Sequence, residues 1–156
     1  PDDAKTLGAA TMLLPDASSR CVALARYGHP AALATLVRWM EDADPGAAHA
    51  AGEAFSRITG FEIHGERRTL PVPDDADEFE RESAPLVWMP DVAKARHLLD
   101  DNAARWNSGT RWCAGRRMDG KYSPDQLAEL DLQARWDAAA RAAMSGERIA
   151  APPPIG

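Results

Sequence analysis

The segments Ala23-Leu24-Ala25-Arg26-Tyr27-Gly28 and Ala54-Phe55-Ser56-Arg57-Ile58-Thr59-Gly60 decide how this 156-residue chain is read, because the second echoes the first. In each, a large apolar residue (Leu24, Phe55) precedes an arginine and a glycine closes the stretch; the arginines stand 57 − 26 = 31 residues apart. Self-similarity near thirty residues is the mark of stacked helical hairpins. Working outward, Asp2 to Leu14 reads as a helix with Leu7, Thr11 and Leu14 on one side, stopped by Pro15. Asp16 or Ser18 caps the next helix, which runs to Tyr27 and ends on Gly28. Pro30 opens a third, whose Ala32, Leu33, Leu36, Val37 and Met40 form one apolar stripe. After the break at Asp42 to Gly46, Asp44 as cap and Pro45 as first residue start a fourth, with Ala47, Ala51, Ala54, Phe55 and Ile58 on one face.

Helix, Gly28-His29-Pro30 turn, helix, then Asp44-Pro45 before a new helix resembles the short HEAT-like repeat of bacterial proteins, over about residues 2 to 64. The expected fold is therefore all-α: a HEAT-like α-α superhelix of two to three helical hairpins at 1–64, followed by a C-terminal helical cap. Between them, residues 65–89 read as a connector, since Leu70-Pro71-Val72-Pro73 breaks the pattern and residues 74–82 hold six carboxylates. The cap, 90–150, begins with Asp91 capping a helix that carries Val92, Ala95, Leu99, Ala103 and Trp106. Thr110 to Met118 reads as an ordered loop or small hairpin edge. Ser123-Pro124-Asp125-Gln126 forms a capping box, so one long helix is expected to follow, ended by Gly146 and a flexible tail at 151–156.

These features, with Gly109-Thr110-Arg111-Trp112 before Gly115-Arg116, resemble the C-terminal part of an uncharacterised bacterial HEAT-repeat family often encoded near type VI secretion genes. Cys113, Lys121 and the polyproline tail depart from that pattern. The resemblance implies a bacterial accessory, adaptor or immunity protein. The chain starts at Pro1 without an initiating Met, and its first residues already read as helix, so a terminal cap fragment of a longer solenoid, without separate activity, is an alternative expectation.

Composition narrows the partners. A net charge of −6 and a pI near 5.2 disfavour a general nucleic-acid binder, which needs clustered Lys and Arg. No apolar run reaches the ~18 residues of a membrane span and no signal peptide opens the chain, so a cytoplasmic location without membrane insertion is expected. Cys21 and Cys113 stand alone and are read as buried apolar residues.

Constellations for chemistry are sparse. His29, His49, His64 and His97 belong to no metal-binding motif; His49 and Glu53, one helical turn apart, make an exposed polar contact sooner than a ligand pair. His29 is read as a turn cap. A Cys113–His97 nucleophile has no flanking oxyanion or elbow motif, and no glycine-rich phosphate loop is present. No catalytic residue, cofactor or metal is expected. Another protein is the expected partner, and two places are candidates to meet it: the cationic, aromatic patch Arg111, Trp112, Arg116 and Arg117, and the acidic strip Asp77, Glu78 and Glu80. The competing reading has Trp112 plugging the junction between repeats and cap while the arginines pair with the acidic connector. Trp88, Trp106, Trp112 and Trp136 are read first as core, and one of them exposed beside these arginines becomes the leading anchor. The chain is thus expected to be a noncatalytic scaffold; a small enzyme or ligand-binding protein using the concave face of the repeats is the alternative.

Overall fold

The computed structural model describes residues 8–107, 109–118, 123–144 and 146. The expected helix start at Asp2 and the tail at 151–156 lie outside these. Residues 8–11 form one helical turn, followed by α1 (Ala17–Tyr27), a 3-10 turn (Pro30–Ala32), α2 (Leu33–Trp39) and α3 (Pro45–Thr59). Local chemistry sets each boundary. Asp16 accepts the Ser19 N–H at 2.7 Å, Asp44 accepts that of Gly46 at 3.0 Å, and Gly28 and Gly60 close their helices with φ of +69° and +75°. His29 Nδ1 accepts the Ala31 N–H at 3.1 Å, so the side chain shapes the turn.

The remainder corrects the all-α expectation. Among the described residues, β1 (His64–Thr69) pairs antiparallel with β2 (Leu86–Pro90), and a second small sheet joins β3 (Trp112–Cys113) to β4 (Arg116–Arg117). The chain is mixed helix and sheet, not a HEAT-like superhelix. The stretch read as a connector is the arm of a β-hairpin, extended at its ends by Leu70 N–H to Pro85 O at 2.9 Å and Asp91 N–H to Ile63 O at 2.7 Å. Within the arm lies the five-residue helix α4 (Glu78–Glu82). Leu86-Val87-Trp88-Met89 is a β-favouring apolar run, and Pro90 falls at the strand's last position, where a missing donor costs little.

The two C-terminal helices expected as continuous are each broken. Val92–Asp101 (α5) gives way to Ala103–Trp106 (α6) at Asn102, whose side-chain amide donates to Leu98 O at 2.9 Å. Pro124–Ala128 (α7), with its expected Ser123–Gln126 capping box, is followed by Leu132–Met144 (α8), because Asp131 starts a new helix by accepting the Ala134 N–H at 2.8 Å.

One main core runs through all of this. Cys21, Leu24, Leu33, Leu36, Phe55 and Ile58 from the helices meet Ile63, Ala95, Trp106 and Trp112 from the later chain. The alanine-rich α3 is central, touching α1, α2 and β2, and Gly52 lets the hairpin approach: a Cβ there would lie 2.8 Å from Pro90 Cβ. A smaller cluster of Cys113, Met118, Leu130, Ala134 and Ala138 seats α8.

Candidate binding surface

The β1–β2 register builds an exposed aromatic feature around Trp88. Trp88 lies opposite Arg67, Leu86 opposite Thr69 and Pro90 opposite His64, while an irregularity between His64 and Arg67 absorbs one residue of the ladder. His64 and Arg67, three apart, therefore meet the same indole. The His64 ring stacks on Trp88 at 5.5 Å with 15° between planes, and the Arg67 guanidinium sits 5.3 Å from the ring centre. Glu66 and Arg68 pair with each other at 2.8 Å. His49 of α3 donates through Nδ1 to the Trp88 carbonyl at 3.0 Å, tying the strand to the main core.

This face is apolar as well as cationic. Trp88 is 45% exposed and Leu86 50%, and in the arm between the strands Phe79 is 76% exposed. Apolar side chains this open, beside arginine, are the residue types that dominate protein interfaces.

The residues nominated from sequence divide differently. Trp112 is buried, edge-on to Trp106 at 5.2 Å, with the Arg105 guanidinium 4.6 Å from its ring centre and 4.8 Å from that of Trp106. It fills the junction, as the competing reading held. Arg111 lies 4.0 Å over the Tyr27 ring, Arg116 pairs with Glu129, and Arg117 donates to Thr110 Oγ1 at 3.0 Å. The partner of Arg116 is therefore in the turn after α7, not in the acidic arm. Asp77 and Glu80 cap α4 reciprocally, at 2.8 and 2.9 Å, leaving Glu78 as an exposed carboxylate beside Phe79. The sequence weighs His64 only as a metal ligand, and Arg67, Leu86 and Phe79 fall inside the supposed connector. Trp88 was counted among the aromatics without a place.

The echoing arginines have a shared task. Arg26 binds Asp137 at 2.6 Å and Arg57 binds Asp131 at 2.8 Å, so both reach from the last turns of α1 and α3 to α8 and its cap. The 137 − 131 = 6 residues between the aspartates span about 9 Å of helix, the ordinary distance between packed helix axes. Asp137 holds the Arg26 guanidinium above its ordinary pKa through hydrogen bond and charge. Burial pushes the Asp131 carboxyl up, but the Ala134 N–H and Arg57 outweigh it and hold the group below its ordinary 3.8. Beneath these pairs, a groove of about 580 Å³ runs between α1 and α3, with His49 and Glu53 on its wall.

Neither cysteine is placed to act as a nucleophile. Burial pushes the Cys21 thiol up to about 11, which suppresses the nucleophilic thiolate. Cys113 packs into the smaller core, while His97 is exposed and contacts Asp101 at 3.1 Å. Among the described residues no group of three or more His, Cys, Asp or Glu side chains is arranged around a metal site, and no helix is long and apolar enough to cross a membrane. Comparison with known protein families, curated protein sequences and solved structures returns no match to this chain.

Proposed function

We propose that this chain is a noncatalytic protein-binding module that engages its partner through the β1–β2 hairpin face. The observation that carries the reading is Trp88, left open to solvent while His64 and Arg67 hold its ring in place. A pre-set aromatic side chain loses little conformational freedom on binding and contributes a large contact area, which suits an interface anchor. Leu86 on the same face and Phe79 in the arm extend the apolar area. An accessory role in a bacterial secretion system rests on the sequence resemblance alone.

The test is a photo-crosslinking amino acid placed at Leu86 in the native host, with a second placed at Leu13, which is 86% exposed, as control. The expected result is a defined protein adduct from position 86, absent from position 13 and lost when Trp88→Ala is added. Equal adducts from both positions, or an adduct indifferent to Trp88→Ala, overturn the reading.

A further inference from the structure

A second feature lies apart from the hairpin. The first helical turn with Met12, the 3-10 turn before α2, the C-terminal part of α2 and Leu24 of α1 line a cavity of about 350 Å³, near the small end of the ~300–1,000 Å³ typical of small-molecule sites. Met12, Leu24 and Trp39 supply apolar wall; His29, Thr35 and Arg38 supply polar groups. We propose that this cavity binds a small amphiphilic monoanion, an apolar body bearing one carboxylate or sulfonate.

Three observations specify that chemistry. First, Arg38 is exposed and has no ion-pair partner among the described residues, and no carboxylate stands among the described residues of the lining. Arg38 thus places a guanidinium at the mouth, and a guanidinium fork matches a planar carboxylate. Second, His29 offers a donor. His29 Nδ1 is occupied by the Ala31 N–H, so in the neutral ring Nε2 carries the proton. Third, Thr11 lines the same cavity, is 3% exposed, and holds a hydroxyl with no hydrogen-bond partner among the described residues. A buried hydroxyl left unpaired is costly, and a ligand oxygen would relieve it. The apolar wall, formed by a thioether, an isobutyl group and an indole, demands that the rest of the ligand be hydrocarbon or aromatic.

The probes are 8-anilinonaphthalene-1-sulfonate and its uncharged counterpart N-phenyl-1-naphthylamine, titrated by fluorescence. The sulfonate is expected to bind saturably at one site. Arg38→Gln should weaken it at least tenfold while changing the uncharged probe less than twofold, because only the ion pair is removed. Ala31→Trp, an exposed position on the cavity wall, should abolish binding of both without lowering the unfolding temperature. Trp88→Ala should leave both titrations unchanged, which keeps this site separate from the proposed protein interface. Sulfonate affinity indifferent to Arg38→Gln, or probe binding that survives Ala31→Trp, overturns the proposal.

Discussion

At Gly28 and Gly60 the backbone turns into the left-handed region, and in both cases other backbone lies directly against the missing side chain. A Cβ on Gly28 would collide with the Trp112 carbonyl, and one on Gly60 would stand 2.7 Å from Ala114. Gly109 supplies a comparison, since its φ is +64° but no neighbouring atom lies within 4 Å of its Cβ position. Gly109→Ala is expected to cost about 1 kcal/mol, the conformational penalty alone. Gly28→Ala adds a steric clash and is expected to cost about 3 kcal/mol. Denaturant unfolding of the two variants separates the contributions; equal losses would mean that the β3–β4 hairpin yields easily. The closing glycines were legible in the sequence because helix punctuation is local. What packs against them was not, since Trp112 and Ala114 are distant in the chain.

Among the elements, the same division holds. Helices α1, α2 and α3 follow from stripes and caps contained within each segment, whereas β1, His64-Gly65-Glu66-Arg67-Arg68-Thr69, has no apolar alternation to betray it. Its pairing partner arrives only after the proline-containing acidic arm, so the strand exists through tertiary pairing and not through propensity. Trp88 is anchored at the strand where that arm returns, which is why the candidate surface was hidden with it. The break between α7 and α8 had a visible cause in Asp131, but a leucine- and alanine-rich stretch masks an internal cap. That aspartate also carries a pH signature. Its lowered native pKa means that its contribution is fully present above the ordinary carboxylate value and is lost as pH falls through the native one. Asp131→Asn keeps a cap but not the charge. The variant should lose up to about 1 kcal/mol at neutral pH, and the difference from the parent protein should vanish in acid. Thermal unfolding followed from pH 7 to below 3 checks this; a gap that persists in acid would assign the effect to capping instead.

For the whole molecule, the main core and the smaller α8 cluster meet through the β3–β4 hairpin and the two arginine–aspartate pairs. α8 enters the smaller cluster through Ala134 and Ala138, whereas α3 buries Phe55 and Ile58 in the main core, so α8 should open before α3 does. Replacing both Arg26 and Arg57 by Ala is expected to speed amide exchange in α8 several-fold while leaving Ala51 to Phe55 unchanged. Exchange that accelerates equally in both helices would make them one cooperative unit. The thirty-one-residue echo was therefore read correctly as a spacing and wrongly as a solenoid. Its arginines serve a helix that lies across α1 and α3, and no further repeat is needed to explain them.

The β3–β4 hairpin also sets an order of events during synthesis. Trp112 N–H bonds Gly28 O at 2.7 Å, Ala114 N–H bonds Arg57 O at 2.6 Å, and Gly115 N–H bonds Ile58 O at 3.1 Å. Three carbonyl groups at the ends of α1 and α3 thus wait for donors encoded more than fifty residues beyond Gly60. On the ribosome the helical half emerges with those ends satisfied by water alone and its apolar seam uncovered. Completion of the native helix ends becomes a late, long-range closure, and a nascent chain released before Trp112 is a substrate for chaperones, not a smaller folded version of the same protein.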